Sequence, residues 1–496
     1  MGVRQGTDNR GAFTLNGFLK VGLKGSYLQP LSADELYRLH VSSLEVLEKR
    51  GVTVYEPDAL STFEKAGCEV QDKIVKIPPY LVKESIKTAP SSVTLCGRNR
   101  RHDFTVGDGY FNCGICGTAP HVLELETHQH RKAMKQDAAS LARLFDGLDN
   151  LRCIFSPQVV PNDVPEQDID IHAGDAILRN TEKHVGPIVC FNEAHIEDVI
   201  EMAEAIAGGS EELRKRPIVS ALAEPVSPLE QSVPQTKSLI AYSKRGLPVH
   251  LTNHPITGFT SPVTLAATIT QSNAEVLSYL VLAQLINPKT PTIFGPYGTT
   301  PNMKEGIHLP ASVEATLIQT SLMQMARYYR LPSLGFSGVN GKVVDAQMGI
   351  EDMLCVLPLA LAGADLVLMG LMDNDDTMAY EMLVIENEMV GLMGRFLRGV
   401  EVDDDRIALD LINRSRPATD FLSEKHTLAF YSSEHLIPGL FERSSRSNWE
   451  KNGSKDLMQK ASEEAKRILK THQPAPLEKP VSEKLDEIVK RSRKTG

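Results

Sequence analysis

At 496 residues, with 63 acidic against 53 basic side chains and a formal charge of −10, the chain has no basic surplus to displace counterions from a phosphate backbone. Nucleic acid is therefore not an expected partner. No run of about 18 apolar residues reads as a membrane span, residues 1–27 hold no apolar stretch flanked by a cleavage site, and seven cysteines without scaffold spacing fit a reducing compartment. The expected setting is the cytoplasm.

From about 33 to 100, a helical pattern (Leu36, Leu39, Leu44, Leu47, with Asp34 near its start) gives way to short alternating pieces, Ile74-Val75-Lys76-Ile77 and Val93-Thr94-Leu95-Cys96. This predicts an N-terminal cap, residues 1–105. Eight short apolar runs then recur at roughly 30- to 45-residue intervals, at 111–115, 151–155, 187–191, 217–222, 248–252, 291–294, 332–336 and 365–369. Both faces of each run are apolar, as in Ile188-Val189-Cys190-Phe191, which is how parallel strands covered by helices read. The prediction is an α/β fold, a (β/α)8 TIM barrel over 106–400, with its site in the loops at the carboxyl ends of the strands. After Gly370 the pattern turns helical through 380–397 and becomes acidic at Asp403, Asp404 and Asp405. Residues 401–496 are expected to form a helical extension with a Pro-rich break at 473–476, suited to an arm at a homo-oligomer interface.

Several cofactor signatures are missing. Gly335, Gly338 and Gly341 lack the Gly-x-Gly-x-x-Gly spacing of a dinucleotide cradle, and no P-loop occurs. Asp170-Ile171-His172-Ala173-Gly174 falls one residue short of a cobalamin-ligating Asp-x-His-x-x-Gly and lies where a helix is expected, so any corrinoid would ride on another polypeptide. Cys113-Gly114-Ile115-Cys116 has the spacing of a zinc or redox pair, but zinc needs two more ligands, and His121, His128 or His130 would reach it only through folding. The plainer reading is two small residues turning a strand into a loop.

The strand ends carry the remaining chemistry. Phe155, Phe191, Phe294, Tyr297 and Phe336 close strands, and Asn192, Glu193, Glu224, Asn253, His254, Ser337 and Asn340 follow them. Singly, a terminal Phe usually plugs a barrel and a Glu-Pro caps a turn. Together they describe a pocket with aromatic walls, suited to an organic cation at about 0.5 to 2 kcal/mol per ring.

Three blocks go further. Phe336-Ser-Gly-Val-Asn-Gly-Lys342-Val-Val-Asp345-Ala-Gln347-Met-Gly349-Ile-Glu351, with Leu359-Ala-Leu-Ala-Gly-Ala-Asp365, is the first. Tyr380-Glu381-Met-Leu-Val through Asn387-Glu388-Met to Arg395-Phe-Leu-Arg398-Gly399 is the second, and Gly117-Thr-Ala-Pro with Leu125-Glu-Thr the third. These, with Trp449-Glu-Lys-Asn-Gly, Ile468-Leu and Leu485-Asp-Glu-Ile, closely resemble the trimethylamine methyltransferase family over nearly the whole chain. The resemblance implies a (β/α)8 enzyme that moves a methyl group from an amine to Co(I) of a separate corrinoid protein. Founding members use pyrrolysine, whereas this sequence holds only the twenty standard residues, like the branch acting on quaternary amines such as glycine betaine, proline betaine or carnitine.

That branch implies no tightly bound cofactor, no metal and no covalent catalytic residue. Within it, Phe155, Tyr297 and Phe336 are candidates for the cation wall and Glu224 for its counter-charge. Asn192, His254 and Asn340 are candidates to orient a substrate carboxylate or line the mouth, and Lys342 to meet substrate or the corrinoid partner. Two alternatives stay open: a zinc-dependent corrinoid methyltransferase using Cys113 and Cys116, and a noncatalytic betaine-binding protein.

Overall fold

The computed structural model describes residues 28–417 and 420–492; the expectations for residues 1–27 lie outside them. Eight parallel strands form one sheet: β1 Asn112–Ile115, β2 Leu151–Ser156, β3 His184–Ile188, β4 Val219–Ala223, β5 Val249–Thr252, β6 Thr292–Gly295, β7 Leu334–Gly338 and β8 Leu366–Leu371. Its order runs β6-β5-β4-β3-β2-β1-β8-β7. A parallel bridge between Phe294 and Ser333, with Phe294 N–H donating to Pro332 O at 2.7 Å, joins the two ends and closes the barrel. The strands are buried along almost their whole length, because the pairing and both faces are covered.

Helices α1 Lys135–Asp146, α2 Ile169–Asn180, α3 Ile196–Ala207, α4 Val233–Arg245, α5 Leu265–Ile286, α6 Val313–Tyr329, α7 Ala346–Ala362 and α8 Tyr380–Arg398 follow the strands in turn. None of the helices among the described residues is long and apolar enough to cross a membrane.

Seven strands fall where the apolar runs predict, within two or three residues. The third starts three residues earlier than expected and ends at Ile188 instead of Phe191. Its first half, His184-Val185-Gly186, reads as polar and broken, yet His184 pairs with Cys153 and Val185 with Ile154. His184 faces the interior, where its Nε2 meets Ser220 Oγ at 2.8 Å and Ser220 Oγ meets His250 Nε2 at 2.9 Å. A Cβ on Gly186 would stand 2.1 Å from Ser220 Oγ, so this close approach requires glycine.

The N-terminal elements are stitched to the barrel. Helices Ala33–Glu45, Pro57–Lys65 and Pro79–Thr88 pack on α5, which explains why that helix is buried on nearly every side. Val52–Val54 joins a small sheet with Ile74–Lys76, Glu69–Gln71 and Glu230–Gln231, the last from the β4–α4 loop. The hairpin Val93–Leu95 and Phe104–Val106 plugs the amino end, where Cys96 O binds His184 Nδ1 at 3.0 Å.

The C-terminal extension also folds back on its own barrel. Leu457–Thr471 packs on α8 and α1, and Lys479–Ser492 on α2 and α3, burying Ile468, Leu485 and Ile488. Arg179 of α2 clamps the last helix through Ser482 Oγ at 2.6 Å, Ser482 O at 3.1 Å and Asp486 at 2.8 Å. The segment expected to reach a partner subunit has its apolar face occupied here.

Candidate functional site

At the carboxyl end of the barrel, β5, β6 and β7 bring three rings together. The Tyr297 and Phe336 rings lie 5.2 Å apart at 45°, and His254 stands 4.6 Å from Tyr297. Each is fixed from behind. Asn253 Oδ1 accepts from Tyr297 N–H at 3.0 Å and from Ser272 Oγ at 2.8 Å, while Asn253 Nδ2 donates to Glu275 of α5 at 2.5 Å. The same carboxylate takes Ser227 Oγ at 2.8 Å and Leu229 N–H at 2.9 Å, so one buried acid positions both the β4 and β5 loops. Phe336 N–H donates to Gln319 Oε1 at 2.9 Å.

Glu224, next after β4, is half-buried, and no hydrogen bond or ion pair engages its carboxylate among the described residues. Burial, with the neighbouring charge of Glu275, pushes its pKa up to about 7. It follows β4 directly, at the same carboxyl end of the barrel as the three rings, and its charge is felt at Tyr297 and at Cys116. His254 hydrogen-bonds Thr299 Oγ1 at 3.0 Å, and desolvation brings its pKa down to about 4, so the imidazole is neutral near pH 7.

Above the rings, three consecutive residues with positive φ, Asp373 (56°), Asn374 (57°) and Asp375 (70°), turn the β8–α8 loop over the mouth. Asp and Asn tolerate this conformation best among non-glycine residues. Asp375 Oδ2 meets His308 Nε2 at 3.0 Å, and the His308 ring stands edge-on to His254 at 5.1 Å. Asn374 Nδ2 donates to His308 O at 2.5 Å, and Lys342 bonds Asn374 Oδ1 at 2.5 Å and ion-pairs with Asp373. Gly338 leaves room for this loop: a Cβ there would lie 2.2 Å from Asp375 Oδ1. A cavity of about 580 Å³ opens at the rim, lined by Ile256, Phe259, Ile307, His308, Lys342 and Asp376 among others.

Of the sequence candidates, Tyr297, Phe336 and His254 come together as one ring cluster, Glu224 follows β4 at the same end of the barrel, and Asn340 and Lys342 stand at the rim. Asn340 receives Asn374 Nδ2 at 3.4 Å while its N–H donates to Glu351 at 2.7 Å. Phe155 is buried under Gly117, where a Cβ would lie 2.7 Å from its ring, and it makes no ring contact with Tyr297 or Phe336. Asn192 caps the short helix Glu193–His195, its Oδ1 accepting from Ala194 N–H at 3.1 Å and its Nδ2 donating to Gln167 O at 3.1 Å. The third strand's shift of three residues towards the N-terminus, ending at Ile188, explains this displacement.

Cys113 and Cys116 are both buried, and desolvation raises both thiols, so they are held protonated. His121 and His130 lie apart from them with Asp376, in a sheet on the rim. Asp170 and His172 serve the scaffold: Asp170 Oδ2 accepts from Asn192 N–H at 2.8 Å, and His172 Nδ1 meets Lys135 Nζ at 3.2 Å.

Sequence reasoning misses Glu275, His308 and the 373–376 loop. The first is the one charged residue of α5, a helix otherwise built of apolar and uncharged polar side chains. The last had a legible signal, four consecutive Asp or Asn residues a little past a strand's carboxyl end.

The family model for trimethylamine methyltransferase matches residues 4–496. The chain belongs to the trimethylamine methyltransferase family. It is 35% identical over 474 residues to a trimethylamine methyltransferase of Desulfitobacterium hafniense, covering 94% of each chain. A trimethylamine methyltransferase of Methanosarcina barkeri is 34% identical, with 95% of this chain and 97% of the relative covered. A glycine betaine methyltransferase of Desulfitobacterium hafniense is 29% identical, with 94% and 98% covered. Membership makes the chain a methyltransferase-family protein built on a (β/α)8 barrel.

Proposed function

We propose that this chain moves a methyl group from a quaternary amine of the betaine type to the Co(I) centre of a corrinoid carried by a separate protein. The observation that carries the reading is the Tyr297–Phe336 ring pair at the carboxyl end of the barrel, with Glu224 following β4 at that same end and its carboxylate engaged by no hydrogen bond or ion pair among the described residues. Aromatic faces with one uncompensated acid suit a permanent organic cation. Relatives named for trimethylamine and for glycine betaine both bracket a methylated nitrogen. Between them, the charge on nitrogen decides: a quaternary ammonium leaves as a neutral amine without covalent activation, and this chain carries only standard residues.

The reduced cobalt of the docked partner supplies the nucleophile. What the chain contributes is aim. Tyr297 and Phe336 hold two methyls so that a third points out of the mouth, and a fixed geometry of this kind lowers the barrier by removing rotational and translational search. Since nitrogen loses its charge as the methyl moves, a strong grip on the cation would hold back the transition state. A neutral His254 and a Glu224 that ionises only near pH 7 give a weaker grip. The acidic inner groups Glu224 and Asp375 would repel a substrate carboxylate, which therefore faces outward to Lys342 and Asn340. Exposed Phe259 and Ile307, with Lys342, offer the rim surface for a corrinoid.

Anaerobic incubation with cob(I)alamin and a panel of amines tests the reading through the absorbance change to methylcobalamin. Betaines are expected to react and trimethylamine to lag. Equal turnover of trimethylamine would overturn the substrate class. Binding of betaines without any methylcobalamin would favour a noncatalytic binding protein. A cytoplasmic homo-oligomer remains part of the proposal; exposed Val400, Val402, Leu422, Leu428 and Ile437 support self-association, checked by light scattering.

A further inference from the structure

A three-stranded sheet on the rim holds a set of side chains that methyl transfer does not use. Strand His121–Leu123 lies between Thr377–Ala379, which it pairs with in parallel, and His130–Lys132, which it pairs with antiparallel. His121 therefore stands opposite Lys132, one diagonal step from His130, on the same face of the pleat, and its N–H donates to Asp376 O at 3.2 Å. The two imidazole rings stack at 4.4 Å and 30°. Asp376 Oδ2 lies 2.8 Å from His121 Nδ1 and 3.8 Å from His130 Nε2.

We propose that His121, His130 and Asp376 bind a late first-row divalent metal ion at the rim of the barrel. The three ligand atoms lie within 4.8 Å of one another, on partly exposed side chains open to solvent ligands. Metal–ligand distances of about 2.0 to 2.2 Å set ligand atoms roughly 3.4 Å apart. The 2.8 Å His121–Asp376 contact need only open slightly and His130 close by at most about 1.4 Å, giving up its 3.1 Å bond to Thr377 Oγ1. Two imidazoles and one carboxylate, with open positions for water, suit zinc, cobalt(II), nickel or iron(II) over magnesium or calcium. Backbone pairing holds the two histidines in one sheet, and the His121 N–H bond to Asp376 O fixes the third ligand beside them, so little ordering is left for the ion to impose. Its structural effect is to tie the β8–α8 loop, which carries Asp375 and Asn374 against His308, to the β1–α1 hairpin. The ion binds at the edge of the rim cavity that Asp376 also lines, and neither the ligand set nor its test depends on the methyl-transfer reading.

Tag-free protein, dialysed against chelator and then buffer, is titrated with cobalt(II) while its visible absorption is followed, and zinc is added during thermal unfolding. About one ion per chain is expected, with a raised unfolding midpoint. His130→Ala and Asp376→Asn, both on exposed side chains, should each weaken binding at least ~10-fold and abolish the zinc-induced shift. No uptake below millimolar cobalt, uptake unchanged in both variants, or a thiolate-to-cobalt charge-transfer band would overturn the site.

Discussion

Glu224 joins stability and function at one residue. Its native pKa of about 7 lies above the usual carboxylate value, so the native protein holds a proton there that the unfolded chain has released between about pH 4.5 and 7. Its contribution to stability is therefore present at low pH and lost as pH rises through 7. Cation binding has the opposite demand, since only the ionised form attracts it. Glu224→Gln is expected to raise the unfolding midpoint at pH 8, and to flatten a quaternary-amine affinity that in the wild type strengthens from pH 6 to 8. Calorimetry at three pH values checks both signs. Tyr297→Ala should leave far-UV dichroism intact and weaken betaine affinity by roughly 2- to 30-fold, the worth of one ring; equal affinities would remove Tyr297 from the cage.

At the scale of elements, the loops decide what the strands present. The left-handed run at 373–375 delivers Asp375 to His308 and Asn374 to Lys342, and Gly338 on β7 provides the clearance. Gly338→Ala should displace Asp375 and weaken betaine binding while the barrel stays folded, a loss read by calorimetry beside unchanged far-UV dichroism. The last helix rests on Arg179. Three bonds to Ser482 and Asp486 from one guanidinium, partly solvated, are worth about 1 to 3 kcal/mol locally. Arg179→Ala is expected to speed amide exchange across 479–492 without affecting the barrel strands; unaltered exchange would show that Leu485 and Ile488 hold the helix unaided.

For the whole molecule, closure of the barrel turns eight separate strand ends into one mouth. The apolar runs made the strands legible because a parallel strand covered on both faces must be apolar on both, a demand written locally in four to six residues. The third strand is expected three residues too late because its first half is lined by His184 and Gly186, residues set by interior contacts to Ser220 that no local pattern shows.

The same divide runs through the site. Tyr297, Phe336, His254 and Glu224 could be named from the sequence, since position at a strand's end and side-chain chemistry are both local facts. Which candidates meet is a question of strand register and loop path. The tertiary structure alone turned Asn192 into a cap, sent Phe155 beneath Gly117, and drew in Glu275, His308 and Asp375 from distant segments. It also folded the C-terminal helices onto their own barrel, because an amphipathic stripe in sequence specifies that an apolar face will be covered but not by which surface.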